Sequence, residues 1–101
     1  MSLSIAQKKY LRGLCHDLSP VVTVADRGLS ESVMKEIELN LTHHELIKIK
    51  LRHDKARRAQ ITEALVSETN ADPVMTIGQV VCLYRTNLDK PADKRITLPN
   101  R

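Results

Sequence analysis

Residues 45–52 read ELIKIKLR, a segment in which apolar and basic side chains alternate. Alternation with a period of two is typical of a β-strand, whose successive side chains point to opposite faces. One face would carry Ile47, Ile49 and Leu51, and the other would carry Lys48, Lys50 and Arg52. The stretch therefore predicts a strand with one side in the core and one basic side.

The residues before this strand predict two helices and a shorter strand. Ser4 and Gln7 have the spacing of a capping box, which would start a helix whose inner side carries Tyr10, Leu11, Leu14 and Leu18. The run VVTVA at 21–25 indicates a buried strand. Ser30 fits the N-cap of a second helix, whose core face would carry residues at four-residue spacing, namely Val33, Ile37 and Leu41.

The residues after it predict a third helix and a hairpin. Asp54 can cap a helix that runs to Thr69, with an apolar side formed by Ala59, Ile61, Ala64 and Leu65. Gly78-Gln79 separates two β-branched runs and suits a type II′ turn. The order α-β-α-β-α-β-β predicts an α/β fold with a four-stranded mixed sheet, its apolar face covered by helices.

The length of the chain and its C-terminal composition predict one domain with a tail. A chain of 101 residues has room for one hydrophobic core, which we place in residues 1–86. From Asn87 onward the chain turns polar and contains Pro91 and Pro99. We expect residues 87–101 to form a flexible C-terminal tail, with room for a short extended piece at 96–99.

The positive charge of the chain is concentrated in one segment. The formal net charge is +4 and the isoelectric point is about 9.3. Residues 48–58, KIKLRHDKARR, hold six cations and one acid, a sum of +5, so the rest of the chain sums to −1. Such a patch permits nucleic-acid binding, and a merely solvated face is the alternative. Two Tyr and no Phe or Trp argue against stacking bases on an aromatic platform.

The residues that catalysis or metal binding would require do not form a recognisable pattern. Cys15-His16 and His43-His44 lack a second ligand pair at finger-like spacing, so no metal or other cofactor is expected. Neither a nucleophile motif nor a phosphate-binding Gly-Lys motif occurs, so no enzyme activity and no small-molecule substrate are expected. Without a signal or membrane-length segment, we expect a cytoplasmic protein whose Cys15 and Cys82 are reduced core residues.

Two features remain that suit an anion, the basic strand and the strand–turn–helix junction at residues 23–33, TVADRGLSESV. A helix N-terminus presents unpaired amides and the positive end of its dipole, which suits phosphate oxygens. Lysine and arginine bind a nucleic-acid backbone without sequence choice. These features favour structured RNA, read through its phosphates and shape.

Several linked motifs resemble the CRM domain (chloroplast RNA splicing and ribosome maturation), in particular the bacterial single-domain YhbY type. The matching segments are Gly28-Leu29, HELIKIK at 44–50, Ile77-Gly78, LYR at 83–85 and the ending DKRITLPNR. The resemblance covers residues 3–99. It implies a fold similar to the C-terminal domain of translation initiation factor 3. It also implies a bacterial RNA-binding protein that associates with precursors of the large ribosomal subunit, with large-subunit rRNA as its partner and no membrane role.

The same resemblance implies an RNA-contacting G-x-x-G loop between the first strand and the second helix. Here the loop reads Ala25-Asp26-Arg27-Gly28, with alanine in place of glycine and aspartate where the family usually has a basic residue. Asp26 could repel a phosphate or accept amide hydrogen bonds within the turn. The expected RNA contacts are Arg27, Gly28, Lys48, Lys50, Arg52, Lys8, Lys9 and Arg12, and Ala25, Asp26 and Leu29 complete the loop.

Two alternatives stay open on the sequence alone. Lys55, Arg57 and Arg58 could form a separate patch on the third helix. The protein could instead be an interaction module that docks a basic partner through its acidic second helix, which carries Glu31, Glu36 and Glu38.

Overall fold

The structure, a computed structural model, describes residues 3–100. Its helices are α1 (Ile5–Cys15), α2 (Glu31–His44) and α3 (Lys55–Thr69). Its strands are β1 (Val22–Val24), β2 (Leu46–Leu51), β3 (Asp72–Ile77) and β4 (Val80–Tyr84), and a short 3-10 helix spans Ala92–Lys94. The predicted order of elements is confirmed.

The four strands form one mixed sheet in the order β1-β2-β4-β3. β1 runs parallel to β2, with Val24 beside Leu51, and the other two pairs are antiparallel. The carboxyl ends of β1 and β2 therefore lie at the same end of the sheet, which we call the loop end. The tip of the β3–β4 hairpin is also there, since the Leu51 amide donates to the Gln79 carbonyl at 2.6 Å.

Helices cover both faces of the sheet, whereas the sequence predicts that they cover its apolar face. α2 and α3 pack on the face of Ile47, Ile49 and Leu51, which are at most 1% exposed. α1 packs on the opposite face, the one that carries Lys48 and Lys50. That face is apolar at one end of β2, where helix and sheet are held together by buried contacts among Leu11, Cys15, Leu46, Val74, Cys82 and Tyr84. Lys48 and Lys50 are consequently half-buried rather than spread over an open basic face.

Local signals set the helix starts and the hairpin turn as predicted. Both capping-box hydrogen bonds between Ser4 and Gln7 are present, at 3.0 and 3.1 Å. Ser30 accepts from the Val33 amide and Asp54 from the Arg57 amide, as N-caps of α2 and α3. The hairpin turns through Gly78 at φ +54°, a conformation that glycine adopts without strain.

Three details of the predicted packing are wrong. Tyr10 is 43% exposed, because α1 turns Cys15 toward the sheet together with Leu11, which is buried as predicted. Ala59 and Ala64 are exposed, and α3 buries Ile61, Leu65 and Thr69. Val21 is 40% exposed, since β1 begins only at Val22.

Glu45 joins the end of α2 to the C-terminal segment. It caps α2 at φ +64° and is 1% exposed. Its carboxylate accepts from the amides of Asn87 and Ile96, both at 2.7 Å, and from the Thr86 hydroxyl at 3.2 Å. A buried carboxylate with three donors is well satisfied, so Glu45 holds the C-terminal segment against the end of α2.

The tail predicted over 87–101 has defined contacts in its described part. Ile96 and Leu98 pack against the cluster beneath α1, and the Gln7 side-chain amide donates to the Pro99 carbonyl at 3.1 Å. No strand forms at 96–99. The flexibility of the tail and the domain boundary at residue 86 stay predictions, and residues 1, 2 and 101 lie outside the described residues.

Candidate nucleic-acid interface

The loop end brings together two strand–turn–helix junctions. β1 leads through residues 25–30 into α2, and β2 leads through residues 52–54 into α3. The Arg52 amide donates to the Val24 carbonyl at 3.0 Å, which holds the two junctions side by side. Because the strands are parallel, the N-termini of both following helices lie at this end. Ligands of α/β sheets bind beyond the carboxyl ends of the strands, so the loop end is the candidate binding site.

The loop at residues 25–29 is a tight turn that requires glycine at one position only. The Gly28 amide donates to the Ala25 carbonyl at 2.9 Å, and the Ser30 amide donates to the Gly28 carbonyl at 3.0 Å. Gly28 has φ +69°. Ala25 is not among the residues of positive φ, so alanine in place of glycine adds no backbone strain there. Leu29 turns inward and packs against the core beneath α2 and α3.

The two charged residues of the loop are exposed. Within residues 3–100, neither Asp26 nor Arg27 has a side-chain hydrogen bond or an ion pair. The suggestion that Asp26 accepts amide hydrogen bonds within the turn therefore does not match the structure. Its carboxylate stays at the surface and lowers the positive potential of the loop, and the Arg27 guanidinium offsets it.

Arg57 on the first turn of α3 reaches across to the loop. A β-carbon placed on Gly28 would lie 3.3 Å from Nη2 of Arg57. The guanidinium of α3 thus lies against the glycine backbone of the β1–α2 turn. The alternative of a separate basic patch on the third helix does not match this geometry, because Arg57 brings the helix and the loop into one surface.

The loop end carries a large excess of positive charge. Six cations are found on its strand ends, turns and helix starts, namely Arg27, Lys50, Arg52, Lys55, Arg57 and Arg58, which we call the loop-end cations. The three acids there are Asp26, Glu31 at the start of α2 and the N-cap Asp54. Ion pairs within residues 3–100 join Lys35 to Glu31 and Arg85 to Glu38, and neither includes a loop-end cation. These charges are therefore free to meet an external anion.

The remaining predicted contacts lie on α1 and on the face of the sheet that α1 covers. Lys48 lies near the buried thiols of Cys15 and Cys82 on the face that α1 covers. Arg12 lines a cleft between α1 and β3. Lys8 and Lys9 are exposed on the first half of α1, the part of the helix that Gln7 ties to the C-terminal segment.

The acidic face of α2 is partly neutralised. Glu31 lies 3.8 Å from Lys35, and Glu38 lies 2.8 Å from Nη1 of Arg85. Arg85 also donates to the Thr69 carbonyl at 2.9 Å, so Glu38 belongs to a contact that joins α2 to the end of α3. Glu36 keeps an exposed side chain without an ion pair among the described residues.

The titratable groups of the core do not form a reactive centre in the described part of the chain. The hydrogen bond to Cys82, followed by burial, raises the pKa of the Cys15 thiol well above its ordinary value. A thiol of raised pKa stays protonated and unreactive, which fits the predicted core role of Cys15. The same hydrogen bond lowers the pKa of the Cys82 thiol, and the predicted core role of Cys82 agrees with its complete burial. No group of three potential metal ligands occurs within residues 3–100. No helix there is long and apolar enough to cross a membrane.

Comparison with known proteins gives a consistent set of matches. Residues 3–85 match the model of the CRS1/YhbY (CRM) domain. A Haemophilus influenzae protein named RNA-binding protein is 44% identical over 101 residues, which cover 99% of this chain and 98% of that one. The Bacillus subtilis protein YqeI, named a probable RNA-binding protein, is 33% identical over 94 residues, covering 92% and 95%. The solution structure of a hypothetical Staphylococcus aureus protein, named as a candidate RNA-binding protein, superposes with a TM-score of 0.79 at 29% identity, covering 97% of this chain and all of that one.

Proposed function

The chain belongs to the CRS1/YhbY (CRM) domain family, and on this premise we propose that it is a non-enzymatic RNA-binding protein that associates with precursors of the large ribosomal subunit. It holds structured ribosomal RNA through the sugar–phosphate backbone during assembly. The names of its relatives support an RNA partner, and the ribosomal particle is the further step that we propose.

The observation that carries the proposal is the convergence of the loop-end cations with two helix N-termini. Backbone amides at a helix N-terminus and the positive end of its dipole favour phosphate oxygens. Arginine adds planar, bidentate donors for the same oxygens, and Arg27, Arg52 and Arg57 all lie at this end. Gly28 has no side chain, which lets the Arg57 guanidinium lie against the turn and join α3 to the loop.

The mode of binding follows from what this surface contains. The surface has cations but no aromatic rings on which bases could stack. It is therefore better suited to the phosphates and shape of a folded RNA than to the bases of a single strand. Contact with roughly four to six phosphates gives an affinity that falls by about two to three decades between 50 and 200 mM salt. A partner held by apolar contacts would show a much weaker dependence on salt.

Sedimentation tests the ribosomal partner. Native extract is run on a sucrose gradient at low salt, with and without ribonuclease, and each fraction is probed for the protein. We expect co-migration with large-subunit precursors and release by ribonuclease. The double substitution Arg27→Ala/Arg57→Ala should move the protein to the top of the gradient. The control Lys90→Ala/Lys94→Ala removes the same charge from the C-terminal segment and should not. Wild-type protein at the top of an untreated low-salt gradient contradicts the ribosomal proposal.

The alternative function, docking of a basic protein through α2, has weaker support. Two of the three carboxylates that would form the docking face are already in ion pairs, with Lys35 and Arg85. Ribonuclease separates the two functions, because a protein partner keeps the chain in the heavy fractions after the RNA is digested.

A further inference from the structure

A groove runs along the molecule beside the loop-end cations. It has a volume of about 610 Å³ and lies between α3 and the β3–β4 hairpin. Leu51, Val66, Val80 and Val81 are among the apolar residues that line it. The groove stays open because α3 presents the small, exposed side chain of Ala59 to it. Pockets that hold small organic groups have volumes of about 300–1,000 Å³, so this one can hold a nucleobase.

The mouth of the groove is continuous with the RNA surface proposed above. Lys55 and Arg58 line the mouth at the start of α3. They directly follow Asp54 and Arg57 in sequence. The Arg58 guanidinium donates to the His53 carbonyl at 2.6 Å, which fixes its position at the loop end. A strand of RNA whose phosphates meet the loop-end cations therefore passes the entrance.

One exposed carboxylate in the lining of the groove can distinguish bases. Glu63 lines the groove one turn or more beyond the cations, next to Thr62. Within residues 3–100 it has neither an ion pair nor a side-chain hydrogen bond, so both carboxylate oxygens are free acceptors. A carboxylate selects a base by the N–H donors on its edge.

We propose that this groove receives one unpaired base of the bound RNA, and that Glu63 selects guanine; the inference rests on the RNA-binding function proposed above. Guanine presents two adjacent N–H donors on its Watson–Crick edge, which match two carboxylate oxygens. Adenine and cytosine present one amino group, and uracil presents one N–H between two carbonyls that repel a carboxylate. The aliphatic lining contacts the faces of the base, and Lys55 and Arg58 hold its phosphate.

RNA is favoured over a protein segment as the occupant because of the charges at the two ends of the groove. Cations at the entrance match the phosphate of a nucleotide, and an acceptor inside matches the donors of its base. A peptide would need an acidic residue at the entrance and a donor side chain farther along. The peptide is nevertheless a defined outcome of the test below.

The binding test uses four RNA hairpins that differ only in one bulged base, G, A, C or U. Affinities of the full chain are measured at fixed salt for the wild type, Glu63→Gln and Glu68→Gln. Both substitutions remove one negative charge from an exposed position of α3, but Glu68 does not line the groove. We expect the wild type to prefer bulged G over bulged U by about tenfold, in line with the discrimination of a good bidentate contact. Glu63→Gln should lose most of that preference, and Glu68→Gln should keep it.

A second pair of variants tests the groove itself. Ala59→Leu fills it, whereas Ala64→Leu makes the same change at an exposed position of α3 outside it. Ala59→Leu should abolish the preference for G. NOEs from protons of the bulged base to the methyl groups of Val66 and Val80 should be present for the wild type and Ala64→Leu and absent for Ala59→Leu.

Failure of this inference differs from failure of the RNA-binding function. Equal, salt-dependent binding of all four hairpins by the wild type overturns the base pocket and leaves backbone binding intact. Absence of binding to every hairpin overturns both. If Ala59→Leu leaves hairpin binding and base preference unchanged but weakens ribonuclease-resistant association in the gradient, a protein segment occupies the groove and the proposal is wrong.

Discussion

Arg57 lies against the loop, and Asp26 occupies the loop position at which the family usually has a basic residue. We therefore predict that the Arg57 guanidinium makes the phosphate contact that a basic residue at position 26 would make. Arg57→Ala removes a guanidinium whose Nη2 lies 3.3 Å from the β-carbon position of Gly28. Loss of one phosphate contact should reduce the slope of log affinity against log salt by about 0.7–0.9. The affinity itself should fall by about fivefold to tenfold, which corresponds to the loss of one exposed, charge-assisted hydrogen bond. Alanine is a good helix former and Arg57 is exposed, so the free energy of unfolding should change by less than about 0.5 kcal/mol.

The assay is a salt series of fluorescence anisotropy titrations with a labelled hairpin of large-subunit ribosomal RNA. Lys94→Ala is the matched control, because it removes one exposed positive charge from the 3-10 helix of the C-terminal segment. If Arg57→Ala and Lys94→Ala give equal slopes and equal affinities, Arg57 makes no phosphate contact of its own. Its only effect on binding is then the loss of one unit of net charge.

Three further predictions concern the scaffold. Gly28→Ala places an L-residue at φ +69° and should lower the free energy of unfolding by about 1–2 kcal/mol in a denaturant titration, with weaker RNA binding as well. Glu45→Gln weakens the three hydrogen bonds that its buried carboxylate accepts, so unfolding should become easier by about 1–3 kcal/mol, and trypsin should cleave after Arg95 sooner. Burial raises the pKa of Tyr84, so the phenol loses its proton at a higher pH in the folded state than in the unfolded state. The free energy of unfolding should therefore fall as the pH rises above 10.0, and it should fall less steeply in Tyr84→Phe.

Signals that act over a few residues predicted most of the fold. The three N-caps, the alternation in β2 and the Gly78 turn each depend on neighbours in sequence, and each is present in the structure. The face that α1 covers could not be predicted in this way. It depends on the pairing of Leu46 with Tyr84 on the adjacent strand, a contact between residues far apart in sequence.

The candidate site also contains residues that local sequence signals predicted and contacts that depend on long-range pairing. The cations of β2 and of the loop could be found from the sequence, but the approach of Arg57 to Gly28 could not. That approach requires the parallel pairing of β1 with β2, which places two junctions about 27 residues apart in sequence side by side. The groove beside α3 was also missed, because Ala59 fits the pattern of an apolar helix face and nothing local shows that it stays exposed.

An NMR titration of the isotope-labelled chain with the bulged hairpin tests most directly whether RNA binds at the loop end. We expect the largest amide shifts at residues 25–30 and 52–58, where the two junctions meet. Amides of α2 around Glu36 and of the C-terminal segment should move little. If the largest shifts instead occur on α1 around Lys8 and Lys9, or on the acidic face of α2, RNA binds another surface and the loop end is not the site.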